Sequence, residues 1–300
     1  MSAREYRDTL DARLSSQTVK LVAKPSEYDE LLPSARIITG FEIDAEAVDR
    51  AADLELFACT FAGTDHLPLS AFEANDVQVT NASGVHGPNA AEQVLASVLS
   101  FARGLDHGWA QSQAGTWSHY QADELYDSTV TVVGMGSIGG AIIDRLAPFG
   151  VETIGVRNSP SKGGDADTVV GIEQLPEILP RTDYLVLACP LTEETAQLVD
   201  AAALERLPPD SVVVNIARGQ VVDTDALHAA LQTNELRGAA LDVTDPEPLP
   251  DGHPLWSHDN CLITPHNAGH TPRYWDRMAD IIAENVDRLE TDEPLRNQAQ

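Results

Sequence analysis

The chain has 300 residues, 43% hydrophobic and 22% charged, the composition of a folded protein of about two domains; it excludes intrinsic disorder, a collagen-like fibre and a small disulfide scaffold. Forty-seven acids against 19 bases leave a formal net charge of -28, so chain-wide binding to nucleic acid or to an anionic membrane would meet repulsion. Only Lys20, Lys24 and Lys162 are lysines, the other sixteen bases being arginines, and this acid-rich, lysine-poor balance suggests adaptation to a salt-rich cytoplasm where dense salt screens self-repulsion.

The N-terminal MSAREYRDTLDARL lacks the apolar core of a signal peptide. No run reaches the roughly 18 apolar residues of a membrane span, and a cytoplasmic location is expected. Short apolar runs follow at Val19–Val22, Ala35–Thr39, Leu54–Thr60 and Val77–Thr80. Each is bounded by Pro, Gly, Asp or Asn with helical stretches between them, an alternation that predicts βα units and a parallel sheet. An amphipathic helix is predicted over 88–105, with Pro88 in its first turn and Gly104 near its end.

From Ser128 the alternation sharpens. STVTVVG predicts a strand, Ser137–Pro148 a helix and Glu152–Val156 the next strand; Asp183–Ala188, Ser211–Ile216, Gly238–Val243 and Cys261–Thr264 predict further buried strands, with a helix at Asp223–Gln232. Thr271–Glu290 reads as one amphipathic helix that returns to the first domain to bury its apolar face. The expected domains are 1–99 with 272–300, and 100–271. Cys59, Cys189 and Cys261 lie in or beside apolar runs and read as buried free thiols. No CxxC pair occurs and no two histidines have a recognised ligand spacing, so no metal is expected.

Residues 132–140 read VVGMGSIGG, which sets Gly134, Gly136 and Gly139 in GxGxxG spacing after a β-branched strand and at the start of a helix. In that context the first glycine makes the tight turn, the second admits a pyrophosphate and the third lets helix and strand pack closely. The helix start, Ser137 and Ile138, turns free N–H groups and a favourable dipole toward the phosphates. An NAD site then requires an acid about 20 residues on, at the end of the second strand. This chain has Arg157, Asn158 and Ser159 there. Arg157 suits a ribose 2′-phosphate, so NADP(H) is the expected cofactor, with NAD(H) possible.

Three later strands end near groups suited to chemistry: Arg218 after VVVNIA, Glu247 a few residues past GAALDV, and His266 after CLITP. In an open α/β sheet such positions face the ligand crevice. Arg offers a planar fork for a carboxylate, His a proton at neutral pH, and a neighbouring Glu orients the imidazole. Together they suit reduction of a 2-keto acid.

At these motifs the chain resembles the D-isomer-specific 2-hydroxyacid dehydrogenases, in order along nearly its whole length: GMGSIGG, CPLTEET (Cys189–Thr195), VVVNIARGQVVDTDAL (Val212–Leu227), LDVTDPEPLP (Leu241–Pro250) and TPHNAG (Thr264–Gly269). The resemblance implies an α/β fold of two Rossmann-like domains with parallel sheets, a split substrate domain and a dinucleotide-binding domain. It implies that Arg218 orients substrate, that Glu247 pairs with His266 and that His266 donates and accepts the proton. It adds Cys189, Pro190, Thr195, Ala217 and Asp242 to the cofactor residues, Asp242 as a structural or electrostatic contributor near the nicotinamide. It also adds Ala62, Gly63, Ser83 and Gly84 to the substrate residues, alongside Arg218 and His266. Members of the family are usually dimeric, and Leu105–Tyr120 is the candidate interface.

The chain departs from the common pattern with Phe61 in place of a frequent glycine, Ser83 of a proline and His86 of an asparagine, so the pocket shape differs. Arg157 and the GVHGP wording lean toward the glyoxylate/hydroxypyruvate reductase-like branch. His270, Tyr274 and Trp275 either wall the pocket or pack between domains. The alternative function is a dinucleotide-sensing, corepressor-like binding protein without turnover.

Overall fold

The protein is described by a computed structural model covering residues 3–299. They divide into two compact units, one built from the residues up to Val85 with those from Thr271 onward, the other from His86–His270. The first unit opens with α1 (Ala3–Arg13) and α2 (Pro25–Leu31), then alternates β1 (Ile37–Gly40), α3 (Ala45–Arg50), β2 (Leu56–Cys59), α4 (Leu69–Ala74) and β3 (Gln78–Thr80). The second runs through α5 (Gly87–Arg103), α6 (Leu105–Gln113), β4 (Thr129–Val133), α7 (Ser137–Leu146), β5 (Glu152–Val156), β6 (Thr168–Val170) and α8 (Leu175–Ile178). It continues with β7 (Tyr184–Leu187), α9 (Ala201–Leu204), β8 (Val212–Asn215), α10 (Thr224–Thr233), β9 (Gly238–Leu241) and β10 (Cys261–Ile263), after which α11 (Tyr274–Thr291) belongs to the first unit.

In the first unit the strands pair in parallel in the order β1-β2-β3. Side chains of the central β2 alternate between faces. Phe57 and Cys59 enter an apolar cluster with Leu32, Val48 and Phe72, while Ala58 enters another with Tyr6, Leu10, Met278 and Ile282. That second cluster is why α11 needs α1: their apolar stripes cover the same sheet face. The start of α3 is capped by Asp44, whose carboxylate accepts from the Ala47 N–H at 2.7 Å.

Val19–Val22, expected as a strand, forms none. Leu21 and Val22 are 39% and 40% exposed, and an apolar run without a neighbouring strand to complete its backbone hydrogen bonds has no reason to extend as one. Trp275 packs against Tyr6 in a tilted pair with ring centroids 4.4 Å apart, and the Tyr274 hydroxyl bonds the Thr60 carbonyl; both aromatics make these contacts within this unit.

The second unit holds a seven-stranded, wholly parallel sheet in the order β10-β9-β8-β7-β4-β5-β6. The chain winds outward from β4 in both directions, so a topological switch point lies between β4 and β7, where such sheets bind ligands. Both faces are covered, which explains the continuous β-branched runs of the sequence. Val130 and Val132 face Val94, Val98, Ile142 and Leu146 of α5 and α7, and Val133, Leu185 and Leu187 face the opposite cluster. This packing moves the first boundary from residue 99 to Val85: α5 joins the second unit because its apolar side closes over α7 and the sheet. The short strand β6 carried too little periodicity to read from sequence. Among the described residues no helix is long and apolar enough to cross a membrane.

Candidate active site

The tightest constraint lies where β4 turns into α7. Gly134 has φ +101°, and a Cβ there would lie 2.6 Å from both the Ala188 oxygen and the Cys189 nitrogen, so only glycine fits. A Cβ on Gly139 would collide with the Gly134 carbonyl oxygen and lie 2.9 Å from its carbon. Gly136 differs, since a Cβ there meets nothing within 4 Å. Gly136 and Ser137 are exposed and Ile138 half-buried at the helix start, where unpaired N–H groups and the dipole favour an anion. The strand, turn and helix thus form a cradle that fits a dinucleotide pyrophosphate.

Beyond β5, the Arg157 Nη1–H donates to the Gly163 carbonyl at 2.6 Å, which fixes the guanidinium direction. Ser159 and Asn158 are exposed. The Asn158 side-chain amide donates to Glu194 Oε2 at 3.0 Å, bringing an acid to this end of the site that the sequence reading did not anticipate. In CPLTEET, Pro190 is exposed but Thr195 is 4% exposed. The Thr195 hydroxyl donates to the Pro190 carbonyl at 2.7 Å and accepts from the Thr192 N–H at 2.7 Å. Thr195 therefore braces the loop and its hydroxyl is not presented to a ligand. Burial pushes the Cys189 thiol up, which keeps it protonated beside Gly134. Ala217 is 5% exposed.

The three candidate chemical groups all follow carboxyl ends of strands in this unit. The imidazole Nδ1–H of His266 donates to Glu247 Oε1 at 2.6 Å, with both side chains partly exposed. Engaging Nδ1 in this way leaves the lone pair of the neutral ring on Nε2. Two cis peptides, Asp245–Pro246 and Glu247–Pro248, flank Glu247. His266 has φ +50°, a left-handed conformation that costs a residue with a Cβ about 1–2 kcal/mol. Its backbone N–H donates to the Asp242 carbonyl at 2.7 Å.

Asp242, only 4% exposed, accounts for how that strain is held. Its carboxylate accepts from Thr264 Oγ1 at 2.5 Å and from the Asn267 and Ala268 N–H groups at 2.8 Å each. From the other side, α5 braces the same loop: His86 Nδ1 bonds the Gly269 carbonyl at 2.7 Å and the Asn89 amide donates to the Ala268 carbonyl at 2.6 Å. Arg218 is exposed and its Nη1–H donates to the Ala217 carbonyl at 2.6 Å. The next residue, Gly219, lets the loop after β8 close on the turn after β9, since a Cβ there would collide with the Thr244 carbonyl.

In the first unit, Ala62 and Gly63 are exposed in the loop after β2. Ser83 and Gly84 lie in the turn after β3, where the Ser83 N–H donates to Asn81 Oδ1 at 3.0 Å. The C-terminal tail holds that turn: the Asn297 amide donates to the Ser83 carbonyl at 2.7 Å and to that of Asn81 at 3.2 Å.

Residues 95–268 match the family model for the NAD binding domain of D-isomer specific 2-hydroxyacid dehydrogenase. The chain belongs to this family. It is 32% identical over 251 residues to human glyoxylate reductase/hydroxypyruvate reductase, covering 81% of this chain and 76% of that protein. With the glyoxylate reductase of Thermofilum pendens it shares 32% identity over 278 residues, covering 87% of this chain and 81% of the relative. A D-isomer specific 2-hydroxyacid dehydrogenase from Xanthobacter autotrophicus Py2, solved in complex with NADPH and MES, superimposes with a TM-score of 0.76 at 29% identity, covering 100% of this chain and 96% of that one. Members of the family are NAD(P)-dependent dehydrogenases of small 2-hydroxy and 2-keto acids.

The three positions that depart from the common family wording have distinct surroundings. His86 braces the loop of His266, Ser83 sits in the turn held by Asn297, and Phe61 is exposed beside Ala62. Sequence reasoning missed the bracing by His86 and Asn89, the contact of Glu194 with Asn158 and the hydrogen bonds that Asp242 accepts from Thr264, Asn267 and Ala268. Each joins segments distant in the chain, and only the polar residue types could have signalled them.

Proposed function

We propose that the protein reduces a small 2-keto acid to the D-2-hydroxy acid, with NADPH preferred and NADH a poorer alternative. The observation that carries this reading is the 2.6 Å bond from His266 Nδ1 to Glu247, on the same strand-end edge as the glycine cradle. Gly134, Gly136, Ser137, Ile138 and Gly139 hold the pyrophosphate, and Arg157 with Asn158 and Ser159 receives the ribose 2′-phosphate. Bound there, the nicotinamide supplies the hydride. His266 Nε2 gives its proton to the substrate oxygen, and Glu247 holds the ring and stabilises its charged form. Arg218 swings from the Ala217 carbonyl to the substrate carboxylate and polarises the adjacent carbonyl. Ala62, Gly63, Ser83 and Gly84 are the substrate-binding residues of the first unit, while Asp242, Cys189, Pro190, Thr195 and Ala217 shape the cofactor side of the second.

Arg157 and the GVHGP segment support the glyoxylate/hydroxypyruvate reductase-like branch without naming the acid. Exposed Leu105, Trp109, Trp117, Tyr120 and Tyr126 cluster in sequence around α6 and support a homodimer, because apolar surface of that extent gains from burial. The acidic, lysine-poor composition supports a halophilic setting. NADPH oxidation followed by absorbance in high salt with a panel of 2-keto acids tests the activity. Turnover in the wild type should fall at least about 10²-fold in His266→Asn with NADPH affinity retained. Wild-type NADPH binding without turnover of any acid would favour the dinucleotide-sensing alternative.

A further inference from the structure

We propose that Phe41, Phe61 and His66 form a subsite that selects 2-keto acids with an aromatic or branched apolar side chain. The inference rests on the proposed keto-acid reduction and adds the class of acid to it. Phe41 is the first residue beyond β1 and Phe61 the second beyond β2, both at the carboxyl edge of the sheet, where ligands gather in such folds. Phe61 directly precedes Ala62 and Gly63, a pair assigned to the substrate. A 2-keto acid is short, so its side chain begins one bond past the keto carbon and meets whatever adjoins the loop that binds it.

The two rings are unusual in this unit for being held but not covered. Phe57 and Phe72 are 0% and 1% exposed, whereas Phe41 and Phe61 are 47% and 55% exposed. They nonetheless contact each other edge to face, with centroids 4.6 Å apart, and His66 stacks on Phe41 at 4.7 Å. Their backbones are pinned as well. The Phe61 N–H donates to Cys59 Sγ at 3.4 Å, its carbonyl accepts from the Ala82 N–H at 3.0 Å, and the Phe41 carbonyl accepts from His66 Nε2 at 2.7 Å.

A preformed aromatic shelf of this kind gains from a ring or branched chain laid on it through area burial and ring–ring geometry. The hydrogen of glyoxylate or the hydroxymethyl of hydroxypyruvate would leave it wet. Glu42 and Asp65, the sequence neighbours of Phe41 and His66, are exposed and add negative charge, which disfavours a second carboxylate or a phosphate on the substrate.

The test measures kcat/KM with NADPH for phenylpyruvate, 4-methyl-2-oxopentanoate, glyoxylate and 2-oxoglutarate in the wild type, Phe41→Ala, Phe61→Gly and Phe61→Leu. Phenylpyruvate should exceed glyoxylate in the wild type, and Phe61→Gly should lower that ratio by at least about tenfold, with Phe61→Leu between. A wild type that favours glyoxylate, or variants that leave the ratio unchanged, would overturn the subsite while leaving keto-acid reduction standing. If no acid is reduced, the activity reading fails separately. Calorimetric titration of phenylpyruvate and glyoxylate into the NADPH-saturated protein then decides the subsite: tighter phenylpyruvate binding that Phe61→Gly abolishes upholds it, and equal binding overturns it.

Discussion

Alanine at Gly136 and at Gly139 should produce opposite phenotypes, although the two glycines lie within one turn of α7. At Gly139 the added methyl would sit 2.9 Å from the Gly134 carbonyl carbon and closer still to its oxygen. Ordinary contact begins at 3.4 Å, so helix and strand must separate by half an ångström at the carbon and by more at the oxygen. Both obstructing atoms are backbone and cannot rotate away. Overpacking of this kind costs about 1–3 kcal/mol, against at most about 1 kcal/mol gained by alanine over glycine in a helix. Because the overlap at the oxygen is deep, the cost lies at the upper end of that range, and the net loss of about 2 kcal/mol corresponds to a Tm lower by roughly 4–8 °C for a unit of this size.

At Gly136 the methyl meets nothing, and the backbone, at φ -82° and ψ -163°, is ordinary for alanine. Gly136→Ala should therefore melt no lower than wild type. With the pyrophosphate held as proposed, the methyl would stand in its approach, and loss of one charge-assisted hydrogen bond, about 1.5–3 kcal/mol, should weaken NADPH binding by at least about tenfold. Scanning calorimetry of the cofactor-free protein and fluorescence titration with NADPH separate the two effects. The reasoning is refuted if Gly136→Ala binds NADPH as tightly as wild type, or if Gly139→Ala melts unchanged.

Arg157→Ala should lower kcat/KM selectively for NADPH, while Glu194→Gln, by removing the acid that faces Asn158, should raise the NADPH-over-NADH ratio; equal effects on both cofactors in steady-state kinetics would displace the 2′-phosphate from this end of the site. Stability should rise steeply with salt, because a net charge of -28 repels across a screening length that shrinks from about 30 Å at 0.01 M to about 3 Å at 1 M. A Tm that stays flat across a sodium chloride series at constant pH would count against halophilic adaptation.

Elements whose identity depends on neighbours in sequence were legible without the structure. The strands from β4 to β10, except β6, announce themselves as β-branched or apolar runs because a parallel strand covered on both faces has no polar side to interrupt it. The spacing of Gly134, Gly136 and Gly139 is readable because three steric demands act within six residues of one turn. The chemical groups Arg218, Glu247 and His266 were visible as residues at strand ends, but their pairing came only from resemblance. The 2.6 Å contact of His266 with Glu247 depends on the parallel register of β9 and β10 and on the path of the chain through Pro246 and Pro248.

Tertiary structure alone decided the elements whose stability comes from a partner. Val19–Val22 has the pattern of a strand but pairs with none, so Leu21 and Val22 stay exposed. The long helix α5 has an apolar face that sequence could assign to either unit, and packing against α7 gives it to the second. Asp242 read as a structural or electrostatic contributor, and only the fold shows what it braces: its carboxylate accepts three hydrogen bonds from the loop of His266. Glu194 reached Asn158 across 36 positions. Local periodicity records which face of an element is apolar, whereas which polar atoms meet is set by the register and packing of separate elements, and that information exists only once the chain has folded.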